Sequence, residues 1–337
     1  MNHNMLRFGV IGAGRIGKIH AEVLATRLAG AQVAAIADVN LPAAQEAAAR
    51  LHVPSAVADY HAILSDPSID AVAICSSTDT HARLIVEAAQ ARKHIFCEKP
   101  IDYDLAKIDQ ALEAVEKAGV KLQIGFNRRF DPNFRKVREM VAEGKIGKPH
   151  ILRITSRDPA PPPIEYVKVS GGIFLDMTIH DFDMARYLMG CEVVEVYVAG
   201  GVLVDAKIGE AGDIDTALIV LHFENGAVGS IDNSSQAVYG YDQRVEVFGS
   251  GGMVAANNNT PDNDVYANAD GVHSAKPLYF FLERYMDSFI EEMRQFVASL
   301  QTGATPPVTG LDGRIPVLMG MAAKKSYQER RPVRVFG

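Results

Sequence analysis

Cysteine is scarce in this chain. Only Cys75, Cys97 and Cys191 occur, widely spaced and odd in number. A disulfide framework and a zinc-binding CxxC pair are therefore not available, and a reducing cytoplasm is the expected compartment. Blocks of basic residues are missing too. No Lys/Arg run exceeds two or three residues and the formal net charge is -7, which argues against a surface that tracks nucleic-acid phosphates. No apolar run is long enough to span a bilayer, and the opening residues MNHNMLRFGVIGAG lack the charged-then-apolar pattern of a secretory leader. Internal repeats and low-complexity tracts are also lacking. What remains is an acidic chain of 337 residues, 48% hydrophobic, longer than a single core supports and expected to form two domains.

The first 126 residues alternate short apolar runs with helical patterns. LRFGVI at 6–11, Val33 to Ala37, Val57 to Tyr60, Ala71 to Cys75, His94 to Cys97 and Lys121 to Gly125 read as strands. Lys18 to Leu28, Pro42 to Leu51, Thr80 to Ala91 and Asp104 to Ala118 read as helices between them. This alternation predicts an α/β, Rossmann-type doubly wound parallel sheet over 1–126. From 127 to 337 the grammar changes to an α+β domain: strand-like runs at Ile151 to Ser156, Val193 to Val204, Thr216 to Phe223, Ala227 to Gln236 and Gln243 to Phe248. Tight turns such as Glu224-Asn225-Gly226 join them into a large, mostly antiparallel, open-faced sheet. Helices follow at about 280–301 and 314–328, and Pro332 to Phe336 closes the chain as a strand.

Gly12-Ala13-Gly14-Arg15-Ile16-Gly17 falls between the first strand and the first helix. In that context Gly12 permits the turn, Gly14 the approach of backbone to a pyrophosphate, and Gly17 close helix packing. Asp38 ends the second strand, where a carboxylate accepts from the adenosine ribose hydroxyls and repels a 2'-phosphate. NAD is therefore expected rather than NADP. His81 either helps hold the nicotinamide end or caps its own helix. His20, His52, His61, His94, His150, His222 and His273 show no partner in the sequence and read as structural.

The segment Asp-Met-Thr-Ile-His-Asp-Phe-Asp, residues 176–183, places Asp176, His180 and Asp183 at i, i+4 and i+7. In a helix they share one face. A carboxylate beside an imidazole makes a tunable proton acceptor, and no further ligand cluster points to a metal.

Glu98-Lys99-Pro100 follows a strand at the carboxyl edge of the parallel sheet, where such sheets bind ligands. With the glycine turn, Asn127-Arg128-Arg129-Phe130 and the Asp176–His180 pair, it resembles the glucose-fructose oxidoreductase/inositol dehydrogenase/MocA family over essentially the whole chain. Ser156-Arg157-Asp158-Pro159 and Tyr239-Gly240-Tyr241-Asp242 are most similar to its inositol 2-dehydrogenase branch. The resemblance implies NAD-dependent oxidation of a cyclitol hydroxyl, myo-inositol to 2-keto-myo-inositol first. Another inositol isomer, a pyranose, or an NAD-using glycosidase of the same fold are the alternatives. It implies His180 as proton acceptor, Asp176 as its orienter and Lys99 as donor to the reacting oxygen. Asn127, Arg128, Asp158, Asp183 and Tyr239 or Tyr241 would hold the remaining hydroxyls. Cofactor contacts are implied for Gly12, Gly14, Arg15, Ile16, Gly17, Asp38, Ser76, Ser77, Thr78, His81, Glu98 and Lys99. A homo-oligomer, dimer or tetramer, built on the C-terminal sheet completes the expectation.

Overall fold

The computed structural model describes residues 5–336; residues 1–4, the start of the stretch read above for a leader, and residue 337 lie outside the described residues. The chain divides into two compact units, Met1–Phe130 with Asp287–Ile315, and Asp131–Met286 with Pro316–Gly337. This differs from a single boundary at 126/127: the segment 287–315 belongs with the N-terminal unit.

The first unit holds six strands, β1 (Leu6–Ile11), β2 (Ala31–Ala37), β3 (Ser55–Val57), β4 (Ala71–Ile74), β5 (His94–Glu98) and β6 (Leu122–Gly125). They form one sheet of order β3-β2-β1-β4-β5-β6, parallel at every pairing. β4 is buried along its whole length, as strands covered by helices on both faces are. The reversal of strand order lies between β1 and β4, the place where doubly wound sheets bind nucleotides. The core packs Phe8 of β1 and Phe96 of β5 against Met293, Phe296 and Val297. These last three explain why 287–315 joins this unit: a helix that reads as C-terminal in sequence supplies part of its hydrophobic core.

The second unit is built on β7 (Pro149–Arg157), β8 (Val193–Gly201), β9 (Thr216–Phe223), β10 (Val228–Ser234), β11 (Asp242–Gly249) and β12 (Gly252–Ala256). An exposed hairpin, β13 (Val265–Asn268) with β14 (Gly271–Ser274), and the short β15 (Val333–Arg334) follow. The sheet order is β12-β11-β7-β10-β9-β8-β15. Only the central β7–β10 pair is parallel; the others are antiparallel. Along β9 exposure alternates residue by residue, so one face packs inward while Tyr197, Leu218, Phe248 and Met253 stand exposed. The last long helix, Gly310–Glu329, begins earlier than its pattern suggests. Thr309 Oγ1 donates to Asp312 Oδ2 at 2.8 Å and accepts from Asp312 N–H at 3.4 Å, a reciprocal cap that pulls the start forward.

Candidate active site

In the first unit the glycine turn has the form that close backbone approach requires. Gly12 has a φ of +103°, and a side chain there would lie 2.6 Å from the Cys75 backbone, so only glycine fits. A Cβ on Gly17 would come within 1.9 Å of Gly12 O. Gly14 faces open space, and no side chain caps the Arg15–Glu22 helix behind it. The opening is thus lined by helix N-terminal amides and a positive dipole end, which suit a pyrophosphate. Asp38 stabilises the turn: its Oδ2 accepts from Ala13 N–H at 2.6 Å and its Oδ1 from Asn40 N–H at 2.8 Å. Each oxygen keeps acceptor capacity for a ribose hydroxyl, so the residues present fit a dinucleotide.

Ser76, Ser77 and Thr78 form the loop after β4. Thr80 Oγ1 donates to Ser77 O at 2.7 Å and lies 2.6 Å from Ser76 Oγ, closing the Thr78–Thr80 turn. The His81 ring is buried, with Nδ1 2.8 Å from Pro100 O and Nε2 3.0 Å from Ser76 O. Both nitrogens face carbonyl oxygens, so His81 ties the Ser76 loop to the Pro100 loop instead of capping its helix. Lys99 is half-buried at the end of β5, its backbone N–H directed at Glu98 Oε2 at 3.3 Å. Asn127 and Arg128 are buried in the turn Asn127–Phe130. Their neighbour Arg129 reaches Asp312 at 2.9 Å. Burial alone would raise the Asp312 carboxyl, but the Arg129 guanidinium and the Thr309 N–H hold it below the usual carboxylate range.

In the second unit residues 176–183 do not form one uninterrupted helix, which corrects the sequence expectation. Helix Ile173–Asp176 ends and helix Thr178–Met189 begins around Met177. Each half has its own anchor. Asp213 Oδ2 accepts the Ile173 N–H at 2.9 Å, and burial pushes the Asp213 carboxyl up, with the Asp176 charge adding to it. Thr178 Oγ1 donates to Asn233 Oδ1 at 2.6 Å, and Asn233 Nδ2 donates to Asp181 Oδ2 at 2.8 Å and to Ser156 O at 3.2 Å. That buried network fastens the His180 helix to β7 and β10. Asp176 Oδ1 accepts from Tyr166 Oη at 2.9 Å; Asp183 is fully buried and His180 half-buried.

Asp158 follows β7, its N–H donating to Ser234 O at 3.0 Å and its carbonyl accepting from Ala237 N–H at 2.6 Å. Tyr239 is 39% exposed. Its hydroxyl donates to Asp242 Oδ2 at 2.6 Å and accepts from Arg157 Nη1 at 3.1 Å; burial and the Asp242 carboxylate push its ionisation up. Tyr241 is buried, edge-on to Tyr285 with ring centroids 6.0 Å apart, so of the two it is the core residue. Sequence reading missed Tyr166, Asp181, Asp213 and Asn233. Asp213 and Asn233 act on residues 40 and 52 positions away, beyond any local pattern.

A family model described as an oxidoreductase family with an NAD-binding Rossmann fold matches residues 6–126, and one for the GFO/IDH/MocA C-terminal domain matches 134–255. The chain belongs to the GFO/IDH/MocA family. As a GFO/IDH/MocA oxidoreductase it uses NAD, and the geometry of the Gly12–Gly17 turn and Asp38 fits such a dinucleotide. It is 54% identical over 330 residues to a myo-inositol 2-dehydrogenase of Thermotoga maritima, covering 98% of each chain. Identity is 46% over 331 residues to an inositol 2-dehydrogenase of Rhizobium meliloti, covering 98% of this chain and 99% of that one. Among solved structures of the family, scyllo-inositol dehydrogenase from Lactobacillus casei with bound NAD(H) and scyllo-inositol matches with a TM-score of 0.92 at 30% identity, over 99% of this chain and 100% of that one.

Proposed function

We propose that the protein is an NAD-dependent inositol dehydrogenase whose preferred reaction is myo-inositol to 2-keto-myo-inositol. The observation that carries this reading is its full-length likeness to the Thermotoga maritima myo-inositol 2-dehydrogenase. NAD, when bound, supplies the hydride acceptor at nicotinamide C4. The protein's own residues do the rest. His180 takes the hydroxyl proton as general base, and Asp176 orients its ring. Lys99 donates to the reacting oxygen, stabilising developing alkoxide character. Asn127, Arg128, Asp158, Asp183 and Tyr239 hold the other hydroxyls; a polar set of this kind favours a ring hydroxylated at every carbon, since each unmatched group is costly. On the cofactor, Arg15 and Ile16 present backbone amides to the pyrophosphate, and Ser76, Ser77, Thr78 and Glu98 line the nicotinamide end. His81 acts there through the loop it fastens.

Purified protein with NAD and a panel of myo-inositol, scyllo-inositol and pyranoses, followed at the NADH absorbance band, tests the reading. Turnover is expected with inositols, myo-inositol first; no NADH from any inositol overturns it, and release of a glycoside's aglycone without net NADH would indicate the glycosidase chemistry. The Asp38 role has its own test. Each charged hydrogen bond is worth about 1.5–3 kcal/mol, so Asp38→Ala is expected to weaken NAD binding roughly 10- to 100-fold while NADP loses far less, measured by titration of both.

The exposed residues Tyr197, Leu218, Phe248 and Met253 on the open sheet face support a homo-oligomer joined there, because a patch of this kind is costly in water. Light scattering behind a sizing column is expected to give a dimer or tetramer. The unpaired Cys75, Cys97 and Cys191 support a cytoplasmic site of action. No helix among the described residues is long and apolar enough to cross a membrane.

A further inference from the structure

The first unit gathers three ionisable side chains, of which two, His20 and Glu292, have no part in the reaction above. His20 comes from the Arg15–Glu22 helix, Glu98 from the end of β5 and Glu292 from the helix Phe281–Thr302. One nitrogen or oxygen atom from each lies within 4.8 Å of the other two. The His20 and Glu292 side chains are wholly buried, and Glu98 is 12% exposed. His20 Nε2 stands 2.6 Å from Glu98 Oε1 and 3.9 Å from Glu292 Oε1. Both carboxyl oxygens of Glu292 lack a hydrogen-bond partner. Packing does not explain such a group, since an apolar residue of similar volume would occupy the site without an electrostatic penalty.

A metal ion does not explain it either. Tetrahedral zinc ligands at about 2.0–2.2 Å from the ion stand roughly 3.3–3.5 Å apart, whereas the 2.6 Å between His20 and Glu98 is hydrogen-bond length. The cluster is one of shared protons. The groups facing it from the surrounding elements are Cys75 after β4 and Cys97 in β5. Burial pushes both thiols well up, with the charge of Glu98 adding to this, so they bring no second negative charge. Phe96 and Phe289 wall the imidazole at 4.8 and 5.7 Å between ring centroids.

The link to chemistry is the other oxygen of Glu98. Oε2 lies 3.3 Å from the backbone N–H of Lys99. On the neighbouring strand a Cβ at Gly125 would sit 2.9 Å from that same oxygen, so the missing side chain there keeps its place open. We propose that His20 and Glu292 are positioning residues for Lys99, acting through Glu98. His20 donates from Nε2 to one carboxylate oxygen and so turns the other toward the Lys99 backbone. Glu292 in its protonated form leaves Glu98 as the single negative acceptor. Once ionised, it competes for the His20 proton and repels Glu98, and the clamp loosens. Burial, and then the Glu98 charge, hold the Glu292 carboxyl well above the usual range, so this loosening comes at a higher pH than an ordinary carboxyl would give.

The inference rests on the reading of Lys99 as donor to the reacting oxygen, and a double-mutant cycle separates the two. Lys99→Met alone tests that reading: turnover equal to the parent overturns it, and the inference with it. If Lys99→Met is impaired, His20→Leu is expected to lower kcat about 10- to 100-fold, the size of a small misplacement of a catalytic group. NAD affinity should hold within about threefold, and His20→Gln, whose amide can still donate to Glu98, should recover most of the loss. In the Lys99→Met background His20→Leu is expected to have no further effect on kcat; an additive loss overturns the positioning role. For Glu292 the readout is pH, and it also serves should His20→Leu fail to fold. The parent's kcat is expected to fall as pH rises through the raised Glu292 ionisation and the Glu292→Gln profile to lack that fall; the same fall in both overturns its part. Stability follows the same sign. A carboxyl whose folded-state pKa is raised contributes stability that is complete below the unfolded value and is lost as pH rises through the folded one. The Tm of the parent should therefore decline more steeply than that of Glu292→Gln as pH rises from the ordinary carboxyl range through the raised Glu292 ionisation.

Discussion

Replacing His180 by alanine is expected to lower kcat by about 10²- to 10⁴-fold, the usual contribution of a positioned general base, with NAD affinity little changed. The separation follows from where the parts lie in the chain. The Gly12–Gly17 turn and Asp38, proposed to grip NAD, lie in the first unit, whereas His180 belongs to the second. Its helix is fastened independently, through Thr178, Asn233 and Asp181, so losing the imidazole leaves the scaffold intact. Steady-state kinetics, with NAD titration as control, checks this; turnover within about threefold of the parent would remove His180 from the mechanism.

The largest expected loss of stability is at Asp131. This residue opens the second unit and does two things there. Its Oδ1 accepts the Asn133 and Phe134 N–H groups, each at 3.0 Å, capping the helix Pro132–Ala142. Its Oδ2 pairs with Arg284, and both side chains are almost completely buried, at 1% and 2%. The guanidinium also lies over Phe134 and Tyr285, 5.3 and 4.7 Å from their centroids. Asp131→Ala strands a buried cation, which costs about 3–5 kcal/mol, with about 1 kcal/mol more for the lost cap. Urea denaturation should show the fall in midpoint. Adding Arg284→Met to Asp131→Ala should recover part of it, because an apolar pair of similar volume is tolerated where a lone charge is not. A loss under about 1 kcal/mol in the single variant would mean that the cation finds another partner or water.

Much of the architecture was legible because burial dictates pattern. A strand covered on both faces reads as an apolar run, as at Ala71–Ile74, and a strand covered on one face alternates, as at Thr216–Phe223, whose limits match the sequence reading residue for residue. The hairpin Val265–Asn268 with Gly271–Ser274 was not legible: seven of its eight residues are exposed and the eighth only half-buried, so no core imposes a period on it. The same logic divides the site. The form of the glycine turn and the place of Asp38 could be read because both depend on local backbone and on fixed spacing after a strand. The interruption at Met177 could not, since the anchors on its two sides, Asp213 and Asn233, come from distant segments. His20 read as a structural histidine for the same reason, since its partner Glu98 is 78 residues away.

The return of Asp287–Ile315 to the first unit bears on how the protein is made. Phe8 and Phe96 are synthesised early, yet Met293, Phe296 and Val297, which cover them, come after the entire stretch 131–286. A nascent chain emerging from the ribosome therefore carries an unfinished nucleotide-binding sheet while the intervening unit is being translated, and such exposed apolar surface is what holdase chaperones recognise and what aggregation starts from. Expression yield should depend on chaperone supply and on the speed of translation through 131–302. A premature stop anywhere in that stretch would deprive the cell of the first unit as well as the second.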